Sequence, residues 1–369
     1  MYIFIIYILF VAIAASQVFK RIKAFRSPLR EVPGPWYAPL TTLHLQYLFS
    51  TGNIWKYVEK GHKCYGPIMR VGPRQVWISD KDAMKQILVK QDLPKVAMYA
   101  EISRDRASPG LFGEIRLKRF LSPAFTVAYV DNLEVHFQKI VRDLLNKYQS
   151  KVFFAELTFY KTVYIKKLIR FFVMDIKFDW PAEMIAAIEA VIYRRQQTSG
   201  TERQDLLQHL LEQGKRPDTG VTMNTRDITD QMAEILLAGS ETTSGTLACL
   251  FLELARNPVV YNKLLESLPS ASLADDIVSS KTVRTESQYE YLEACIKENL
   301  RLHPIASEMG RRTGTEWVNL MGYDLPPHTV VSASYRALHL NEEYWPQAQR
   351  FWPERFLAKD KRGDAPAAE

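Results

Sequence analysis

The segment Leu237-Ala238-Gly239-Ser240-Glu241-Thr242-Thr243-Ser244-Gly245 sets one carboxylate among small and hydroxylated residues. It lies in the middle of an otherwise apolar, helix-periodic run from about Asp227 to Arg256. Glycine inside a helix costs about 1 kcal/mol, and Ser and Thr hydroxyls bond back to the preceding turn. A helix tolerates that where a ligand must lie against its backbone, where it must bend, or where another helix packs closely. From this segment alone the readings stay open, with Glu241 either functional or merely solvated. A second candidate is Glu298 with Arg301, three residues apart on one helical face. Most pairs of that kind are surface ion pairs worth little.

The elements that must position these groups can be read from spacing. Asn257-Pro258 stops the first helix, and His303-Pro304 ends the helix that starts near Tyr291 and carries Glu298 and Arg301. Tyr65-Gly66-Pro67 through Ile78 alternates turn signals with β-prone runs and predicts a hairpin. Residues 131–149 and 181–212 suit amphipathic helices, and a polar loop at 213–226 precedes the central helix. The aromatic and aliphatic stretch 150–180 has no clear type. No internal repeat or low-complexity tract is present.

With 369 residues, 47% hydrophobic and 24% charged, the chain has a globular composition and enough length for a sizeable core. Its net charge is +7, and Lys20, Arg21, Lys23, Arg26 and Arg30 cluster near the start. They follow the uncharged run 2–15, which suits a membrane surface better than nucleic acid. Residues 1–19 read as a transmembrane signal-anchor, because the positive charges all follow the apolar run and no basic n-region precedes it. Ala12-Ile13-Ala14 is the feature of a cleaved signal peptide that competes with this reading. The positive-inside bias then holds the body of the protein on the cytosolic side. Val32-Pro33-Gly34-Pro35-Trp36 makes a stiff bend between anchor and domain. Cys64, Cys249 and Cys295 are odd in number and widely spaced, so neither a disulfide framework nor a metal site is predicted.

Ala238-Gly239-x-Glu241-Thr242-Thr243, Glu298-x-x-Arg301, and Pro353-Glu354-Arg355-Phe356, placed 52 residues beyond Arg301, stand in the order seen in one family. Together they resemble the cytochrome P450 (haem-thiolate monooxygenase) family, of the eukaryotic microsomal and perhaps fungal type. Gly322-Tyr323-Asp324-Leu325-Pro326 resembles a hairpin of that family, and His339 matches a histidine of a further signature. The resemblance implies a mainly α fold with a small β-sheet region. Thr242 would hydrogen-bond dioxygen, Glu241 would help relay protons, and Gly239 would leave room for the ligand. Glu298, Arg301 and Arg355 would form one buried network beneath the haem, with Arg311 on a haem propionate. Splitting dioxygen needs protons delivered through a hydroxyl and a carboxylate in a dry pocket, which agrees with these residue types.

The sequence departs from the family in places. Only thirteen residues follow Phe356, none of them cysteine, so the expected fold is incomplete at the C-terminus and lacks the loop carrying the thiolate ligand. That thiolate favours O–O cleavage. The three cysteines read as buried small hydrophobes. In 114–125, Glu114 and Lys118 stand where the family has a tryptophan and an arginine on a propionate, and the span from Phe125 to Ala238 is short.

The domain organisation is therefore an anchor at 1–19, a basic and Pro-rich linker at 20–36, and an incomplete cytochrome P450-like domain at 37–369. The resemblance implies a haem cofactor, NADPH acting through a flavoprotein reductase, and insertion of oxygen into a small lipophilic substrate, in secondary metabolism. It also implies a single-pass protein of the endoplasmic reticulum membrane. The alternatives are a catalytically inactive homologue or membrane-tethered binding protein, and a haem carrier ligated by histidine.

Overall fold

The computed structural model describes residues 25–96, 180–197, 205–216, 219–269, 277–306 and 308–368, with scattered positions at 16 and 22 and between 121 and 142. The anchor at 1–19, apart from Ser16, lies outside the described residues, as do Lys118 and the stretch 150–179. The helix over 131–149 is described only at isolated positions.

The hairpin forms where the turn chemistry places it. Strand β1 (Ile68–Gly72) pairs antiparallel with β2 (Gln75–Ile78), with Ile68 opposite Ile78. Four later strands follow: β3 (Glu308–Arg312), then the short separate hairpin β4 (Val318–Leu320) and β5 (Tyr323–Leu325), then β6 (Val330–Ser334). The four-stranded sheet has the order β1-β2-β6-β3, β6 being parallel to β2 and antiparallel to β3. Met321 and Gly322 both turn at positive φ between β4 and β5. Both faces of β1 and β2 are buried, so alternate side chains enter different clusters. Ile68, Val76 and Ile78 pack with Leu320, Leu325 and Val331, while Met69, Val71 and Trp77 pack with Leu45, Ile54 and Val58.

The approach to the domain is tied into this sheet. Leu29 and Val32 are buried in the first of those clusters. The Arg70 amide donates to the Pro33 carbonyl at 2.6 Å.

The helical part is built on a central helix, Thr225–Arg256. It begins two residues before the expected Asp227, because Asn224 and Asp227 form a reciprocal capping box. It ends where Asn257-Pro258 directs, Pro258 opening the next helix, Pro258–Ser267. The predicted run 181–212 is two helices, Ala182–Gln197 and Leu206–Gln213. Asp205 caps the second by accepting from the Gln208 amide, and Arg195 reaches back to its carboxylate at 2.8 Å. Ile188, Ile192, Leu207 and Leu210 bury the first turns of the central helix at Ile228 and Ala233. Its last turns, Leu250 and Leu254, pack with Tyr291, Cys295 and Leu302 of the helix Glu290–Leu302 and with Phe351 and Leu357. The central helix is the one described helix long and apolar enough to cross a membrane. By packing it is the helix to which both helical clusters attach.

Candidate functional site

Glu298 and Arg301 face each other across one turn of the helix Glu290–Leu302. Nε and one terminal nitrogen of Arg301 donate to the two Glu298 oxygens at 2.7 and 2.8 Å, a bidentate arrangement that fixes both planes. The remaining terminal nitrogen donates to the His339 carbonyl at 2.6 Å. Arg355 comes from the 3-10 turn Pro353–Phe356, and its Nε lies 3.4 Å from Glu298 Oε1. The Trp352 amide donates to that same oxygen at 2.9 Å. The structure thus brings Glu298, Arg301 and Arg355 into one buried cluster, with both ionised side chains of the Glu298–Arg355 pair at 0% exposure. Burial depresses the Arg355 guanidinium, and the Glu298 charge opposes that effect.

Two tryptophans complete the cluster, and the sequence reading did not single them out as parts of it. The Arg301 guanidinium lies 5.1 Å from the centre of the Trp345 ring, and Arg355 lies 5.2 Å from that of Trp352. Trp352 stands near Arg350 and Arg355 in the sequence, whereas Trp345 has no basic neighbour, and nothing local shows which ring meets which cation. Neighbouring Glu354 is held separately, accepting from Lys263 at 2.6 Å and from the Tyr291 hydroxyl at 3.0 Å. Burial pushes its carboxyl up, but the bonds from Lys263 and Tyr291 outweigh that and leave it below the usual carboxylate range. His339 donates through Nδ1 to the Arg301 carbonyl at 3.1 Å, and burial lowers its pKa.

The central helix presents its unusual stretch openly. Residues 239–244 are exposed, between ends that are packed. A Cβ on Gly239 would meet nothing within 4 Å, whereas one on Gly245 would stand 3.1 Å from Ile305 Cδ1. The close packing that a glycine permits therefore falls at Gly245. The Thr242 hydroxyl donates to the Ala238 carbonyl at 2.7 Å, which uses its one hydrogen and leaves its oxygen able only to accept. Glu241 is exposed.

Arg311 sits on β3 at the edge of the sheet and is 8% exposed. Its Nε and one terminal nitrogen have no hydrogen-bond partner among the described residues. A buried guanidinium with free N–H groups calls for an anion. A haem carboxylate fits that demand, and the open stretch at Gly239 fits a flat ligand lying against the helix. Two of the three cysteines lie where a thiolate is disfavoured. Burial pushes the Cys295 thiol up to about 12, with the charge of Glu354 adding to the rise. Burial and Glu253 raise Cys249, and Cys64 is exposed instead of being the buried hydrophobe expected.

The comparisons with known proteins point the same way. The family model described as Cytochrome P450 matches residues 181–368, just over half of the chain. The chain is 26% identical to cytochrome P450 monooxygenase acrD of Aspergillus aculeatus, over 97% of this chain and 82% of that protein. It is 24% identical to cytochrome P450 monooxygenase FUS8 of Gibberella fujikuroi, over 94% of this chain and 77% of that protein. A shorter match, 33% identical over 49% of this chain and 38% of the relative, is to the cyclooctat-9-en-7-ol 5-monooxygenase of Streptomyces melanosporofaciens. With the motifs assembled as described and this family match over residues 181–368, the chain belongs to the cytochrome P450 family.

Proposed function

We propose that this protein is a haem-dependent monooxygenase that inserts one oxygen atom into a small lipophilic substrate of secondary metabolism. The observation that carries the reading is Arg311, a buried cation whose free N–H groups call for an anionic partner such as a haem propionate. The names of the fungal relatives, cytochrome P450 monooxygenases, support the reaction class. When bound, the haem supplies the redox chemistry that activates dioxygen. Electrons reach it from NADPH through a flavoprotein reductase, and the basic excess of the chain suits an acidic partner. Residues 1–19 anchor the protein in the endoplasmic reticulum membrane with the domain facing the cytosol.

In this reading each residue has a defined task. Arg311 holds one propionate, and Lys118, by its match to the family position of a propionate-binding arginine, would supply a second cation. Gly239 keeps the helix backbone accessible to the ligand. Thr242, whose hydroxyl donates to the Ala238 carbonyl at 2.7 Å, would turn that hydrogen toward the oxygen substrate. Glu241, exposed to bulk water, replenishes protons. The Glu298–Arg301–Arg355 cluster holds the helix Glu290–Leu302 against the Pro353–Phe356 turn, giving the site a rigid floor.

The raised thiols favour a second reading for residues 1–369 by themselves, a non-catalytic haem-poor homologue. A carbon monoxide difference spectrum of reduced membranes carrying these residues separates the cases. Haem uptake, read as a Soret band, supports the haem-dependent reading; if that band is not of the red-shifted thiolate type, none of the three cysteines ligates iron and residues 1–369 by themselves are not expected to oxygenate. A thiolate-type band would place a cysteine on iron and refute the account of the thiols. A flat spectrum from well-expressed protein would select the non-catalytic reading.

A further inference from the structure

The two helices on which the proposed chemistry rests meet through a buried side chain that neither the cofactor nor the arginine cluster uses. Asn299 follows Glu298 on the helix Glu290–Leu302 and is 0% exposed. Its Nδ2 donates to the Thr246 carbonyl of the central helix at 3.0 Å. The acceptor is a carbonyl, so the orientation of the amide is fixed, with nitrogen toward the central helix and Oδ1 without a partner. An apolar side chain of similar volume would leave no buried acceptor unpaired, so the amide is poorly explained by packing alone.

What lies beyond Thr246 gives the contact its meaning. The Thr246 hydroxyl donates to the Thr242 carbonyl at 2.8 Å, and the Thr242 hydroxyl to the Ala238 carbonyl at 2.7 Å. A run of side-chain bonds to main-chain carbonyls therefore passes from Asn299 along the hydroxylated face to Thr242. At the adjacent position Gly245 meets Ile305, which limits how far the helix can shift there. Further along, His303 Nε2 lies 2.9 Å from Glu253, a second tie between the same segments.

We infer that Asn299 is a positioning residue that sets the height and rotation of the central helix on the Glu298–Arg301 helix, and thereby the presentation of Thr242. The purpose of Thr242 rests on the monooxygenase reading; the tie itself does not. Amide hydrogen exchange on the full chain tests it without haem. In Asn299→Leu the amides of 242–250 are expected to exchange about tenfold faster, with the strands β1, β2 and β6 unchanged.

Asn299→Asp distinguishes a hydrogen-bonded tie from simple packing. A buried aspartate has a raised pKa, and its protonated form can donate to the Thr246 carbonyl while the carboxylate cannot. Protection of 242–250, compared with wild type at the same pH, is expected to recover on acidification in Asn299→Asp and not in Asn299→Leu. Unchanged protection in both variants would overturn the inference, as would uniform acceleration across the protein with no acid recovery. Failure of the monooxygenase reading would instead show in the haem spectrum and leave this exchange pattern intact.

Discussion

The Glu298 carboxylate meets the Arg301 guanidinium through two hydrogen bonds of 2.7 and 2.8 Å, on side chains that are 0% and 2% exposed. A single carboxylate in that position also takes the Trp352 amide and faces Arg355, so it joins the helix Glu290–Leu302 to a segment some fifty residues further on. A buried pair is not in itself a source of stability, but breaking one leaves the partner's charge uncompensated.

Glu298→Gln is accordingly expected to destabilise the protein by about 3–5 kcal/mol, because Arg301 and Arg355 would then be buried cations without a counter-charge. Arg301→Lys should behave similarly, since an ammonium cannot reproduce the two-pronged contact and the bond to His339 together. Urea unfolding followed by tryptophan fluorescence measures both. A loss within about 0.5 kcal/mol, the range of ordinary surface changes, would contradict the role given to the cluster.

Gly34 lies where the approach to the domain crosses β1. A Cβ there would overlap the Arg70 carbonyl oxygen, a main-chain atom that cannot turn aside. Gly34→Ala is expected to detach the Pro33 carbonyl from the Arg70 amide and to expose the 29–35 segment to proteolysis. Limited digestion of wild type and variant side by side gives the comparison. Equal resistance would show that the crossing is looser than this geometry requires.

Acid should weaken the fold in two stages. His44, His62 and His339 have pKa values lowered by burial from 6.5, the effect at His62 and His339 being partly offset by bonds to main-chain carbonyls. A histidine lowered in the folded state contributes stability that is complete above its unfolded pKa and lost as pH falls from there toward the folded value. The first decline is therefore expected below about pH 6.5. Glu354, held below 4.5 in the folded state, keeps its contribution above that value and loses it as pH falls through the folded pKa. Melting temperatures across pH should show the first decline shrink in His62→Gln combined with His339→Gln. The second should shrink in Glu354→Gln, with the rest of it carried by groups such as Asp131 and Glu134, whose pKa values are also lowered by their hydrogen bonds.

Local chemistry made much of this architecture readable. The hairpin 65–78 follows from Gly66-Pro67 and Gly72-Pro73 between β-prone runs, and the end of the central helix from Asn257-Pro258. The grouping of Glu298, Arg301 and Arg355 was legible only through the family resemblance of the motifs that carry them. What was not legible depends on distant partners. Gly239 and Gly245 are equivalent as letters, and only the arrival of Ile305 makes Gly245 the close contact. The division of 181–212 into two helices depends on Asp205 serving as a cap and ion-pair partner for Arg195. Asn299 carried no signal beyond its position in the motif, since its partner is a main-chain carbonyl of another helix.

The most direct measurement is a haem titration of the 369-residue protein, followed by Soret absorbance, in wild type and Arg311→Leu. Wild type is expected to take up haem, and the variant to bind about tenfold more weakly, the loss of one charge-assisted contact. The variant should melt no lower than wild type, because the substitution removes an unpaired buried charge. Equal haem affinity in the two proteins, or no uptake by wild type, would contradict the claim that Arg311 is the anchor for the cofactor.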